Sequence, residues 1–195
     1  MNQYEIKTYG QLSGIQKEET IDVFLEGFGH MMKFSKDNHE LKDLFATAFH
    51  PSYIYAYIEN DKVLGIIGIA SNTIRPIKLD LKLCVGIYGK FKGSIICKQM
   101  NAIFQSRIVK NNTDIYIDVL ATTKNARGRG VATRLLEYTF SIPNYKECYI
   151  EVLSKNLNAK KLYEKIGFIT YKKKPLSFAS LMGFGYPIRM KRDLT

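Results

Sequence analysis

The sequence predicts an α+β fold, and residues 1–195 are enough for one domain of this class. Three patterns support the prediction. Apolar residues alternate along 114–122, which is typical of a strand. Residues 131–142 carry apolar side chains at helical spacing and end before a proline. Earlier in the chain, two strand-like runs at 53–58 and 63–70 flank four polar residues and indicate a hairpin.

The elements before the hairpin are predicted from capping and periodicity. Residues 4–9 are predicted to form a short strand, and residues 15–28 form a helix with one apolar stripe. Ser35 and Asp37 are candidate caps for a second helix, Glu40 has capping-box spacing from Asp37, and Pro51 ends the helix. The first part of the chain therefore has the order strand, helix, helix, hairpin.

Between the hairpin and the 114–122 strand, the sequence predicts an inserted basic helical subelement at about 73–112. Periodicity predicts a helix at 93–109 with four inward side chains, Ile96, Met100, Ile103 and Phe104. Across 75–110, one acid stands against eight basic residues: Arg75, Lys78, Lys82, Lys90, Lys92, Lys98, Arg107 and Lys110. This charge favours an anionic partner, and a solvated helix face that keeps the protein soluble is the alternative explanation.

A glycine-rich turn, Arg127–Ala132, joins the 114–122 strand to the next helix. The free N–H groups of a helix's first turn attract anions, and glycines let the backbone approach them closely. Arg127 and Arg129 add positive charge. The spacing fits neither the G-x-G-x-x-G nor the G-x-x-x-x-G-K-[ST] fingerprint. Taken alone, the turn supports two interpretations equally, a phosphate site or a tight turn with solvated arginines.

Two motifs in this order resemble those of the GNAT superfamily of N-acyltransferases. Arg127, Gly130 and Ala132 fill the positions of R/Q-x-x-G-x-G/A, the acetyl-CoA-binding motif of that family. Downstream, a strand and a helix carry the second motif, at Asn156, Ala159, Tyr163, Gly167 and Phe168. The match covers roughly residues 114–172. The resemblance implies an α+β, three-layer fold with a mixed, mostly antiparallel central sheet of about seven strands flanked by helices. Further strands are predicted at 168–173 and 186–192.

The resemblance also implies acetyl-CoA as co-substrate. The exposed edge of the fourth strand would pair with pantetheine through the backbone of Leu120, Ala121 and Thr122. The pyrophosphate would lie on the turn and the start of the helix, held by Arg127, Gly128, Arg129, Gly130, Val131, Ala132 and Thr133. Asn156 would lie near the cofactor arm, and capping its own helix is the alternative role. Thr122-Thr123-Lys124 replaces the frequent Val-His/Asp-Pro of the family, which shifts the strand-end contacts by about one residue.

Tyr163, Asp118 and Glu151 are the predicted catalytic residues. The resemblance implies that Tyr163 protonates the leaving thiolate, whereas helix packing is its alternative role. Tyrosine has a pKa near 10 and a thiol near 8.5, so full proton transfer is uphill by roughly 2 kcal/mol and a hydrogen bond to sulfur is the safer expectation. Asp118 and Glu151 lie on neighbouring predicted strands and could accept the proton of the amine, or each could be a structural acid.

Composition excludes several other classes of function. Cys84, Cys97 and Cys148 are odd in number and widely spaced, so we expect no disulfide framework, no metal site and no acetyl-cysteine intermediate. The longest apolar run, 63–70, is too short to cross a bilayer, and the first residues lack a signal core. We therefore expect a cytoplasmic protein without a membrane partner. No nucleic-acid-binding module accompanies the basic charge, which disfavours nucleic acid as a partner.

The leading hypothesis is an N-acetyltransferase in which a primary amine of a small molecule or peptide attacks the thioester directly. The enzyme would act as a monomer or homodimer. A non-catalytic acyl-CoA-binding, regulatory module on the same fold is the main alternative, and nucleic-acid binding through the basic segment is a third. Tyr163 favours the catalytic hypothesis over the regulatory one.

Overall fold

Seven strands form one mixed sheet in the order β1-β2-β3-β4-β5-β7-β6. This computed structural model describes residues 3–106 and 108–195. The strands are β1 Tyr4–Thr8, β2 Ile54–Glu59, β3 Lys62–Ala70, β4 Asp114–Thr122, β5 Glu147–Leu153, β6 Ile169–Lys173 and β7 Pro187–Asp193. The β4–β5 pair is parallel, and the other five pairs are antiparallel. The predicted fold class, a mixed and mostly antiparallel sheet flanked by helices, is confirmed.

The helices of the described residues complete the layers on the two faces of the sheet. They are α1 Gly14–Phe28, α2 Asn38–Phe45, α3 Leu81–Tyr88, α4 Lys90–Phe104, α5 Val131–Phe140, α6 Leu157–Lys165 and α7 Phe178–Leu181. Phe24 and Leu44 belong to a core cluster that lies on one face with α1 to α4. Leu135 and Met190 belong to a second cluster on the opposite face, with α5 and α6. None of the helices in the described ranges is both long and apolar enough to span a bilayer.

The start of α2 differs in detail from the predicted capping box. The Asp37 side chain caps the helix by accepting a hydrogen bond from the His39 N–H at 2.7 Å. Glu40 instead accepts a hydrogen bond from the Ser35 hydroxyl at 2.6 Å, so it does not reach back to the cap residue. The helix ends at Phe45, well before Pro51, so proline is not what stops it.

A β-bulge interrupts β4 at Asp118. Gly68 and Ile69 are consecutive in β3, but their partners in β4 are Val119 and Ile117, which leaves Asp118 as the extra residue. The bulge reverses the alternation of side chains. Ile117 packs in the cluster on the α5 side, whereas Val119 packs in the cluster on the α1 side. A regular strand would place Ile115, Ile117 and Val119 on one face, so the alternation predicted along 114–122 is broken at the bulge.

The predicted basic subelement, here called the β3–β4 segment (residues 71–113), contains α3 and α4. The two helices meet at Gly89, whose φ is +79°. They pack so closely that a side chain at Gly93 would collide with the Cys84 carbonyl oxygen. Arg107, one of the eight basic residues, lies outside the described residues.

The helix predicted at 93–109 runs from Lys90 to Phe104 instead. Ile96 is buried as expected, but Ile103 is 60% exposed and does not face inward. The inward stripe passes through Gly93 and Cys97, because the small glycine permits the contact with α3 and fixes which side of α4 is buried.

Candidate active site

The sheet opens between its two parallel strands, β4 and β5. Their pairing runs only from Asp114–Glu147 to Ile117–Ile150. Beyond that point β4 continues beside β3 to Thr122, and β5 continues beside β7 to Leu153. The edge of β4 from Asp118 onward therefore has no partner strand in the described structure. Leu120, Ala121 and Thr122, the residues predicted to bind pantetheine, lie on this open edge.

The glycine turn that follows β4 presents an uncapped helix start. Gly128 and Gly130 have φ values of +77° and +83°, in the left-handed region that favours glycine. Gly130 is the cap residue of α5, and no side chain of the described residues caps this helix. The first internal bond of α5 runs from the Arg134 N–H to the Gly130 carbonyl at 3.0 Å. The earlier N–H groups of α5, including those of Ala132 and Thr133, are thus free to receive an anion.

The space above the turn is open. A side-chain carbon built at Gly128 or at Gly130 meets no atom within 4 Å. A phosphate group can therefore approach the backbone here without displacing protein atoms. The residues present fit the pyrophosphate of a CoA thioester, because they combine an open cradle with free amides.

The two arginines of the turn are tied to neighbouring elements. Arg129 is paired with Glu59, a buried acid at the end of β2. The Arg127 guanidinium lies 3.8 Å from Glu26 of α1, and Glu26 also accepts the Lys124 N–H at 2.7 Å. These contacts anchor the turn to the sheet and to α1. They also offset part of the positive charge that the sequence predicts there.

The second motif places the exposed Asn156 at the start of α6 and the buried Tyr163 within the helix. Asn156 caps the helix by accepting the Ala159 N–H at 3.2 Å, so its alternative role as a cap is realised. Tyr163 is buried, and its ring lies 5.9 Å from that of Phe168. Burial raises the pKa of Tyr163 above its usual value, which keeps the phenol protonated at any physiological pH.

Asp118 forms a buried ion pair at the β4 bulge. Its Oδ1 accepts a hydrogen bond from Arg75 Nη2 at 2.8 Å, and the Asp118 and Arg75 side chains are 12% and 7% exposed. Burial raises the pKa of Asp118, and the neighbouring Arg75 charge opposes that rise. Asp118 therefore depends on the positive charge of Arg75 to remain ionised in its buried position.

Glu151 forms a second ion pair, on the β5 side of the opening. It accepts a hydrogen bond from Arg189 Nε of β7 at 3.0 Å and is 29% exposed. The charges of both pairs act on Tyr116, a buried residue of β4. Burial raises the pKa of Tyr116, the negative charges of Asp118 and Glu151 raise it further, and the Arg75 and Arg189 charges oppose them. The structure thus brings both predicted carboxylates to one buried tyrosine.

Three residues of this cluster were not predicted from the sequence. In the sequence, Arg75 is one of the eight basic residues of 75–110. Tyr116 and Arg189 lie within predicted strands and carry no further signal. No local motif marks the two arginines, because their carboxylate partners are 43 and 38 residues away along the chain.

Two loops meet across the chain on the far side of β5. Phe184, between β6 and β7, packs edge-on against His30 at 6.0 Å, and Lys33 Nζ lies 5.1 Å from the centre of the Phe184 ring. A side chain at Gly185 would lie 2.6 Å from Ser154 Oγ, so this loop sits tightly on the end of β5. The contact joins the α1–α2 connection to the β6–β7 connection.

The three cysteines are free and buried. Burial and a hydrogen bond with Cys97 raise the pKa of Cys84 to about 12, and burial also raises the pKa of Cys148. Within the described residues, no group of three His, Cys, Asp or Glu side chains is arranged to hold a metal ion.

An opened mixed sheet with an uncapped helix start beside the opening defines a protein class that binds an extended, phosphate-bearing ligand along a strand edge. The chain belongs to the acetyltransferase (GNAT) family, whose model matches residues 19–168.

Known relatives agree with this assignment. The chain is 31% identical over 87 residues to N-alpha-acetyltransferase 30 of Schizosaccharomyces pombe (strain 972), which covers 43% of this chain. The match spans 54% of that relative, or about half its length.

Solved structures show the same fold across nearly the whole chain. An N-acetyltransferase from Staphylococcus aureus Mu50 superposes with a TM-score of 0.64 at 19% identity, covering 96% of this chain and 99% of its own. A chain of the NatC complex bound to Gag peptide and CoA superposes with a TM-score of 0.57 at 17% identity, covering 99% of each chain. At these identities the likeness concerns the fold alone.

Proposed function

We propose that the protein transfers the acetyl group of acetyl-CoA to a primary amine by direct attack of the amine on the thioester. The observation that carries the proposal is the open edge of β4, which leads from the Asp118 carboxylate to the uncapped start of α5. Membership of the acetyltransferase family supports the same reaction. The edge, the turn and the acids are then parts of one site.

In the proposed site, backbone groups hold most of the co-substrate. The edge residues Leu120, Ala121 and Thr122 bind pantetheine as an added strand would bind. The pyrophosphate lies on the residues of the turn and of the first turn of α5, from Arg127 through Gly128, Arg129, Gly130, Val131 and Ala132 to Thr133. Asn156 contributes from the start of α6 while it caps that helix.

During the reaction the amine nitrogen forms a bond to the thioester carbonyl carbon, and the carbon–sulfur bond breaks. The proton lost by the amine passes to Asp118 or Glu151, directly or through water. Tyr163 donates a hydrogen bond to the sulfur as negative charge develops there. Because burial raises the pKa of Tyr163, complete proton transfer from it is even less favourable than for an ordinary tyrosine.

The arginine pairs of the two carboxylates constrain the acceptor. Burial raises the pKa of Asp118, but the neighbouring Arg75 charge opposes that rise and limits the strength of this carboxylate as a base. An α-amine has a pKa near 8 and is roughly a tenth neutral at pH 7, whereas a lysine amine is neutral in about one part in a few thousand. A weak base is sufficient for the α-amine. We therefore propose a peptide or small-molecule α-amine as the preferred acceptor, in line with the name of the yeast relative.

The proposal is tested by measuring release of CoA thiol from acetyl-CoA with a panel of acceptors. The panel contains peptides with free N-termini, amino acids, polyamines and aminoglycosides, and an N-terminally blocked lysine peptide separates α-amines from side-chain amines. We expect turnover with at least one free α-amine. Measurable binding of CoA without turnover for any acceptor would instead favour the regulatory, non-catalytic module.

A further inference from the structure

Arg75 connects the β3–β4 segment to the bulge of β4. Its Nη2 donates to Asp118 Oδ1 at 2.8 Å, and its Nη1 donates to the carbonyl oxygen of Ser106. The guanidinium carbon lies 5.9 Å from the centre of the Tyr116 ring. One side chain thus joins the start of the segment, its return after α4, and the bulge of β4.

The pair leaves one carboxylate oxygen of Asp118 unused. Asp118 Oδ2 is buried and has no hydrogen-bond partner among the described residues. A carboxylate in such a place takes up a proton unless a fixed positive charge stands beside it. Arginine supplies that charge at every relevant pH, because a guanidinium group is not deprotonated in proteins.

We propose that Arg75 is a positioning residue for acetyl transfer, which holds the Asp118 carboxylate ionised at the bulge so that it can take up the proton of the attacking amine through a water molecule. This role rests on the proposed function. In the step, an N–H bond of the amine breaks, its proton passes to a water molecule, and that water gives a proton to the Asp118 carboxylate, whose side chain is 12% exposed. Arg75 keeps its charge throughout, and the proton afterwards leaves to solvent.

The charges around Asp118 make this role sensitive to the loss of one cation. The groups that face the cluster are Arg75 from the β3–β4 segment, Tyr116 from β4, Glu151 from β5 and Arg189 from β7. Burial keeps Tyr116 neutral, so two carboxylates are balanced by two guanidinium groups. Removal of Arg75 leaves two negative charges against one positive charge, which favours protonation of Asp118.

Arginine suits the position better than lysine because its planar fork serves two acceptors at once. The Asp118 carboxylate and the Ser106 carbonyl are bound by different nitrogens of the same group. Arg75→Lys keeps the charge and loses one of these contacts. Arg75→Met removes the charge but keeps most of the side-chain volume.

The test is the pH profile of kcat/KM for the amine, measured for wild type, Arg75→Met and Arg75→Lys. The amine contributes the same pKa to every profile, so a difference between variants belongs to the protein. We expect Arg75→Met to lower kcat/KM near neutral pH by roughly 10-fold or more, and to raise the apparent pKa of the acidic limb by about 1–3 units. Arg75→Lys should keep the apparent pKa of the acidic limb close to that of wild type. Lys191→Met, which breaks the 2.8 Å pair with Glu147 outside the opening, is the matched control with an unshifted limb.

A double-mutant cycle with Asp118→Asn keeps the test decisive if Arg75→Met folds poorly. The double variant Asp118→Asn/Arg75→Met has no unpaired charge at this pair. It should therefore be more stable than the single variant Arg75→Met. If Arg75 acts through Asp118, adding Arg75→Met to Asp118→Asn lowers kcat/KM no further. Additive losses, or an unshifted acidic limb in a folded Arg75→Met protein that turns over, would overturn the role of Arg75 alone. Absence of turnover by wild type with every acceptor would overturn the proposed function, and this role with it.

Discussion

The glycine turn and the acid cluster, which consists of the pairs Asp118–Arg75 and Glu151–Arg189, lie at opposite ends of the same open strand edge. The two regions are constructed in opposite ways. The turn is made of consecutive residues, Arg127–Ala132, and offers backbone amides under open space. The acid cluster is assembled from β4, β5, β7 and the β3–β4 segment, and offers paired side chains that are buried at Asp118 and partly exposed at Glu151. Substitutions in the turn should therefore act through backbone conformation, whereas substitutions in the cluster should act through charge.

The largest expected effect belongs to Tyr163, which lies in neither region. Tyr163→Phe removes the hydroxyl and keeps the buried ring, so the packing against Phe168 persists. We expect kcat to fall by roughly 10–10⁴-fold, because the developing thiolate loses its hydrogen-bond donor. The apparent affinity for acetyl-CoA should change little in the same steady-state measurement. An unchanged kcat would remove Tyr163 from the mechanism.

The next effect separates the two carboxylates of the acid cluster. Asp118→Asn and Glu151→Gln keep the shapes of the side chains and remove one charge each. We expect the variant of the true proton acceptor to lose roughly 10²-fold in kcat/KM for the amine, since that is the usual contribution of a general base. Steady-state profiles from neutral to alkaline pH measure it. Full activity of Asp118→Asn over that range would exclude Asp118 as the base and leave Glu151.

The turn should respond to backbone strain and not to loss of charge. Gly130→Val places a β-branched residue at a φ of +83°, which costs on the order of 1–3 kcal/mol or displaces the start of α5. We expect the KM for acetyl-CoA to rise roughly 10-fold, with kcat at saturation little changed. Gly86→Ala is the matched control, because its added carbon also meets nothing within 4 Å and its φ is not positive. A normal KM in Gly130→Val would argue against a phosphate on this turn.

The smallest expected effect concerns the cysteines, which lie outside both regions. All three are buried, and the pKa of Cys84 is raised to about 12, so its thiol stays protonated at pH 8. Iodoacetamide at pH 8 should leave the native protein nearly unmodified and active, and mass spectrometry should find three labelled sites only after denaturation. Rapid labelling of one cysteine with loss of activity would reopen a route through an acetyl-cysteine.

The same contrast explains which parts of the structure could be predicted from the sequence. The strand, the turn and the helix from 114 to 140 follow from local periodicity and from glycines, because the spacing of their own residues marks each element. The bulge at Asp118 could not be predicted, since it exists only as an offset between β3 and β4. Arg75 was visible as a charge but not as a partner, because its role depends on a contact 43 residues away.

The β3–β4 segment shows a similar limit on a smaller scale. The amphipathic pattern of α4 was recognised, yet its buried face was rotated in the prediction, so that Ile103 was placed inside. The actual face is set by the close approach of Gly93 to α3, a contact between two elements that each have an ambiguous pattern. Periodicity identifies a helix, but neighbours decide its orientation when both of its sides are apolar.

The extra residue in β4 also changes which of the two core clusters the next side chains of the strand join. Ile117 and Val119 are two positions apart and are built into different hydrophobic layers, with Asp118 at the crossing point. A ligand that lies along the edge from Asp118 to Thr122 would therefore rest on a segment that is packed from both faces of the sheet.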